Sequence, residues 1–188
     1  PGLMTSAPRD GMTGVDVAEP VRLAFSGALN PATLDRHVII TPTVANVYAN
    51  FDAAANVYYL SWDKQPQMEY CVLLKPGIAD VYGNVITESY RSCFVTGDLP
   101  ALLSPADSAS AVTLDASQSS QLYFLVQNRD RVAFTLSEVP EPEFVRGRDV
   151  VGVVIREWQE TFTAPRNTPT VVPLALRRLG GALPTGYY

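Results

Sequence analysis

The sequence is poor in the side chains that usually carry chemistry. In 188 residues there is one histidine, His37, and only two cysteines, Cys71 and Cys93. Zinc-type sites draw on several closely spaced His and Cys ligands, so no metal site of that kind is expected. A nucleophile–His–acid triad needs a base aligned with an activated Ser or Cys. No nucleophile elbow is present: Ser26-Gly27 lacks the flanking glycine. The glycines make no phosphate loop, since Gly180-Gly181 precedes an extended segment and no Lys-Ser/Thr pair follows it. Charge is also scarce. Lys and Arg number 14 against 19 Asp and Glu, for a net charge of −5. With no basic stripe to neutralise phosphates, nucleic acid is not an expected partner. No apolar run approaches the roughly 20 residues that span a bilayer; the longest, Val150 to Ile155, has the length of a strand. A leader peptide and an initiator Met are missing too. From Pro1-Gly2 to Tyr187-Tyr188 the chain therefore reads as a piece of a longer polypeptide.

What the sequence does have is short alternation. Fifteen Pro and twelve Gly break it into brief segments, while 47% of residues are hydrophobic, enough for a core in each half. Val21, Leu23 and Phe25 alternate with Arg22, Ala24 and Ser26, the period-two pattern of a half-buried strand. Further strands are predicted at Val38 to Ile40, around Tyr48 to Phe51, at Val57 to Trp62, at Tyr70 to Leu74 and at Tyr90 to Val95. Thr96-Gly97-Asp98-Leu99-Pro100 reads as a linker, and alternation restarts at Val112 to Leu114. Leu122, Phe124 and Val126 share one face of a strand, and Val132, Phe134 and Leu136 share a face of the next. Asn128-Arg129-Asp130 between them predicts a tight hairpin turn. Val151, Val153 and Ile155 form a longer strand, and Val171 to Leu176 another. After the Gly180-Gly181 turn, Tyr187-Tyr188 opens a strand that is cut short. Only Pro31 to Arg36 reads as helical, with Asn30 as N-cap and Pro31 at the first position. The expected fold is all-β: two tandem immunoglobulin-like, fibronectin-III-like β-sandwiches, residues 1–97 and 98–188, each near the size of such a domain.

The cysteines test this pattern. If Cys71 and Cys93 oppose each other on antiparallel strands, Tyr70 faces Phe94, Leu74 faces Tyr90, and the fold-back centres on Tyr82. That register puts Tyr70, Val72, Leu74, Tyr90 and Phe94 on one apolar face, with Cys71, Leu73, Arg91, Cys93 and Val95 pointing outward. Opposed residues on neighbouring strands lie within disulfide reach, so a Cys71–Cys93 disulfide is expected; the alternative is two unrelated thiols acting as small hydrophobes.

Other candidates are thinner. His37, at a strand edge, reads as a surface residue. Asp80 and Asn84 offer oxygens to a calcium ion or, more commonly for such residues, to their own turn. Glu138 to Glu143 reads as an acidic, Pro-stiffened connector. Of Tyr58 and Tyr59 only one can face the core, leaving the other as a possible surface contact to a sugar or protein. No catalytic residue and no cofactor is expected.

Particular stretches resemble known families. Glu19 to Ser26, Asn30-Pro-Ala-Thr33 and Val38 to Pro42 resemble the opening of the bacterial Ig-like domains of S-layer and other surface proteins, and Tyr70 to Asn84 and Phe94-Val-Thr96 resemble their closing strands. Leu122 to Val126, Val154 to Trp158, Ala164-Pro-Arg-Asn167 and Leu183 to Tyr187 resemble a macroglobulin domain of bacterial alpha-2-macroglobulins. The resemblance implies a non-catalytic module of an exported, periplasmic or cell-surface protease-trapping protein. Its partners would be neighbouring domains of the parent chain and, through the parent, proteases. No Cys-Gly-Glu-Gln thioester motif occurs in this stretch. The alternative is a module of an adhesin, S-layer or carbohydrate-binding protein.

Overall fold

The computed structural model describes residues 1–107, 112–115, 120–146, 152–178 and 181–188. The chain folds into two compact units, Pro1–Leu99 and Pro100–Tyr188.

Unit 1 contains β1 (Leu3–Ala7), β2 (Met12–Val15), β3 (Val21–Phe25), α1 (Pro31–Leu34), β4 (Val38–Thr41), β5 (Tyr48–Asp52), β6 (Val57–Ser61), β7 (Glu69–Leu74) and β8 (Tyr90–Thr96). They form two four-stranded sheets, ordered β1-β3-β6-β5 and β2-β8-β7-β4. The first strand is split: β1 pairs antiparallel with β3, and after Pro8 the chain crosses so that β2 pairs parallel with β8. These two strands fall outside the sequence expectation, because Leu3–Ala7 and Met12–Val15 are short and do not alternate, and the second contains Gly14. Edge position, rather than side-chain pattern, makes them strands. Elsewhere alternation reports burial directly. Val21, Leu23 and Phe25 are buried while Arg22 is exposed. Inside, Trp62 packs edge-on against Tyr70 at 5.5 Å between ring centroids, and Phe94 lies 6.0 Å from Tyr70. The Asn30 side chain accepts the Ala32 N–H at 3.2 Å and starts α1 as an N-cap should.

Unit 2 contains β9 (Leu102–Pro105), β10 (Gln121–Gln127), β11 (Arg131–Glu138), α2 (Glu141–Arg146), β12 (Val153–Thr161) and β13 (Thr170–Ala175). Its sheets are β13-β10-β9 and β11-β12. The all-β expectation holds, but the structure corrects four details. Strands β10 and β11 do not form a hairpin. They belong to different sheets, so Asn128 to Asp130 arches between layers and brings Phe124 and Phe134 face to edge at 5.6 Å. Alternation cannot distinguish these cases, since both put the same side chains on the inside. Val112 to Leu114 is not a strand. The acidic connector holds a helix, α2, because the Glu143 and Phe144 N–H groups reach the Pro140 carbonyl. Glu141 and Glu143 in its first turn and Arg146 in its last suit the helix dipole. Leu102–Pro105, just beyond the Thr96–Pro100 linker and not expected as a strand, pairs with β10. Val151 and Gly180, assigned to a strand and a turn, lie outside the described residues.

Candidate functional site

The two cysteines meet as the register requires. Cys71 opposes Cys93, Tyr70 opposes Phe94 and Leu74 opposes Tyr90 along β7 and β8. The sulfurs are bonded, and the Cα atoms are 4.0 Å apart, the close spacing of a directly opposed pair. Tyr70, Val72 and Leu74 are buried in the core as expected. The outward face is less open than its alternation implies. Cys71 is only 7% exposed, and Leu73, Cys93 and Val95 are half-buried. The reason is local: Arg91 lies back across the sheet, placing its Nη2 3.2 Å from the Cys71 sulfur. On the far side of Cys93, the Asp10 carboxylate accepts the Cys93 N–H at 2.7 Å, and the Gly11 N–H donates to the Cys93 carbonyl at 2.8 Å. Asp10 thus does the work of a backbone carbonyl where β2 has not yet begun. The sequence carries the Arg-Asp-Gly turn signal but not the sheet edge that gives it meaning.

The tyrosine pair resolves one way. Tyr58 is in the core, 4% exposed, which removes it as a surface contact. Its hydroxyl donates to Asp35 at 2.9 Å, and burial pushes its pKa well above the ordinary 10.0, with the Asp35 hydrogen bond and charge adding to the rise. Tyr59 is half-buried on the opposite face of β6, level with Arg22 on β3 and Asn50 on β5. Tyr48, 70% exposed, shares that outer face.

At the tip of the unit, the Asp80 carboxylate accepts the Tyr82 and Asn84 N–H groups at 2.9 and 2.8 Å and the Asn84 side-chain amide at 2.8 Å. These hydrogen bonds, the Asn84 amide foremost, hold the Asp80 carboxyl below its usual pKa. All of these contacts are internal to the loop, so the pair closes a turn. Among the described residues no cluster of three His, Cys, Asp or Glu groups is placed to hold a metal.

His37 is structural in its contacts. Its Nδ1 lies 2.6 Å from the Thr33 carbonyl. A carbonyl only accepts, so Nδ1 carries the proton. The other ring edge packs on Gly77, where a Cβ would stand 2.4 Å from Nε2. Two further anchors lay hidden in the sequence. The Gln65 N–H donates to the Tyr70 hydroxyl at 2.8 Å, a tyrosine corner at the start of β7. Lys64 is buried, with its ammonium 4.5 Å from the Trp62 ring centroid and 2.8 Å from the Glu19 carbonyl; burial lowers its pKa.

Comparison with known proteins places this architecture. Crystal structures of Salmonella alpha-2-macroglobulin, one reacted with methylamine and one of a point mutant, align over 93% of this chain with TM-scores of 0.69 and 0.67. Identity is 17% in both cases, so the likeness is one of fold, and the chain spans 11% of each of those proteins. The resemblance noted in the sequence is thus present in the architecture. No curated protein matches the chain. The family model of the bacterial Ig-like domain matches residues 1–96, just over half of the 188. The split first strand, the paired four-stranded sheets and this match agree: the chain belongs to the family of bacterial Ig-like domains.

Proposed function

We propose that the chain is a non-catalytic framework module of an exported alpha-2-macroglobulin-like protein of the periplasm or cell surface. The observation that carries the reading is the alignment of both units in tandem, 93% of the chain, with Salmonella alpha-2-macroglobulin. An Ig-like unit followed by a macroglobulin-like sandwich would hold neighbouring domains at a fixed spacing. Any contact with proteases would come through the parent. The residues fit that role. His37 is spent on Thr33 and Gly77, and Tyr58 on the core. The disulfide between β7 and β8 suits an oxidising compartment.

The deciding experiment recovers the full reading frame and assays the parent with a model protease. The reading expects a downstream Cys-Gly-Glu-Gln motif and a parent that traps protease, while the isolated chain leaves protease activity unchanged. A parent lacking both the motif and trapping activity defeats it.

A second reading, a carbohydrate- or surface-binding module, draws on one observation: Tyr59 and the exposed Tyr48 share the outer face of β5 and β6 with Asn50 and Arg22. Glycan binding by the isolated chain that disappears in Tyr48→Ala and Tyr59→Ala would favour it over the first.

A further inference from the structure

The surroundings of the disulfide differ at its two ends. Cys71 is 7% exposed, whereas Cys93 is half-buried. Thiol–disulfide exchange is a displacement: the entering thiolate, the attacked sulfur and the departing sulfur lie close to a line. Attack on Cys71 would have to come from the β4 side, where Thr41 sits opposite it in the sheet. Attack on Cys93 comes from the β2 side, where its neighbours are Gly11 and Asp10, whose carboxylate accepts the Cys93 N–H at 2.7 Å. Gly11 has no side chain, and a Cβ there would meet nothing within 4 Å. Gly11 thus sets no side chain across the approach to Cys93, and the Asp10 carboxylate on that side is engaged by the Cys93 N–H. The departing end is provided for as well. The guanidinium Nη2 of Arg91 is 3.2 Å from the Cys71 sulfur, and a positive charge at that distance stabilises a thiolate.

We propose that the Cys71–Cys93 disulfide is an S-thiolation site of fixed polarity: a small-molecule monothiol enters at Cys93, and Cys71 departs beside Arg91. The monothiol, as its thiolate, attacks the Cys93 sulfur. A new bond forms between the entering sulfur and Cys93 as the Cys71–Cys93 bond breaks. The electron pair leaves on Cys71, whose thiolate Arg91 holds. No net oxidation occurs in this step, since one disulfide replaces another. Return attack by Cys71 on Cys93 releases the thiol and restores the starting bond. A second monothiol attacking the mixed disulfide instead gives the free dithiol and an oxidised thiol pair. Arg91 acts on the departing group and does not touch the entering thiol.

The test uses the intact 188-residue chain with 2-mercaptoethanol and cysteamine as probes. Partial reaction is quenched with iodoacetamide, and the adducts are mapped by peptide mass spectrometry. The expected product carries the probe on Cys93 and the alkyl group on Cys71. Arg91→Ala is expected to slow exchange on the order of three- to tenfold, because leaving-group acidity sets part of the rate. Arg91→Lys should restore most of that loss, and the oxidised proteins should melt together. A merely structural role for Arg91 would not produce rescue by Lys at unchanged melting temperature. Probe on Cys71, probe spread evenly over both cysteines, or Arg91→Ala reacting as fast as the parent sequence each overturns the proposal. The regiochemistry is read on the unmodified protein, so it does not depend on any variant folding.

Discussion

The two units use the same strategy to very different depths. In unit 1 the buried apolar cluster runs to fifteen residues, from Val15 to Phe94, and two four-stranded sheets close over it. Among the described residues of unit 2 the cluster is four leucines, Leu136, Leu174, Leu176 and Leu183. Its aromatic side chains Phe124, Phe134 and Trp158 pack around these only partly covered, although Phe134 stacks on Trp158 at 5.5 Å. The contrast extends to the strands. Leu23 in β3 is 0% exposed, but Val153 in β12 and Val171 in β13 are 67% and 57% exposed. Similar hydrophobic content therefore yields unequal burial. Stability follows buried apolar area rather than composition, so unit 1 should be the more stable of the two and should unfold as its own cooperative block.

Truncation in the core gives the largest expected effect. Leu23→Ala removes a fully buried side chain and should cost about 2–5 kcal/mol. In a calorimetric scan that loss should fall on one transition only. Phe134→Ala, at a half-covered site, should cost about 1–2 kcal/mol and move the other transition. Equal losses at the two sites, or a single merged transition shifted by both, would break the comparison. Reduction of the disulfide comes next. Cys71 and Cys93 are 22 residues apart, and opening such a loop should cost on the order of 3 kcal/mol by chain entropy. Only the unit 1 transition should fall on treatment with reductant. A matching drop in unit 2 would mean that the two are coupled.

The same contrast explains what the sequence disclosed. In unit 1 the Cys71–Cys93 register, the inward Tyr70 and Phe94, and the Asn30 cap were all legible, because each depends on nearest neighbours along or across one strand pair. The strands missed, Leu3–Ala7, Met12–Val15 and Leu102–Pro105, are edge segments. Each is held by a single neighbouring strand, so its side chains need not alternate. The arch at Asn128 to Asp130 was misread as a hairpin for a related reason. A tight turn specifies a change of direction, but which sheet the outgoing strand joins is decided by the partner it meets, here β12. The site divides in the same way. Which cysteines pair could be read from spacing and face. That Arg91 covers Cys71, that Asp10 caps Cys93, and that Tyr58 rather than Tyr59 is the core member required the third dimension.

Tyr58 also gives the smallest and most discriminating test, because it titrates. Burial and Asp35 raise its pKa in the folded protein above the ordinary 10.0. Below pH 10 the hydroxyl is protonated in both folded and unfolded chains, and its stabilising hydrogen bond is fully present. Above pH 10 the unfolded chain releases this proton while the folded one retains it, so stability falls as pH rises. Lys64 pulls the other way. Its folded pKa lies below 10.5, so the folded protein sheds that proton first, and its contribution improves as pH climbs toward 10.5. The two effects overlap in any single pH scan. Their difference does not: Tyr58→Phe removes only the tyrosine contribution. The variant should lose about 1 kcal/mol at neutral pH from the missing hydrogen bond, and the gap to the parent sequence should narrow above pH 10. Denaturant melts of both proteins at pH 7, 9 and 10.5 measure that gap, and a gap that widens with pH would place the Tyr58 hydroxyl somewhere other than against Asp35.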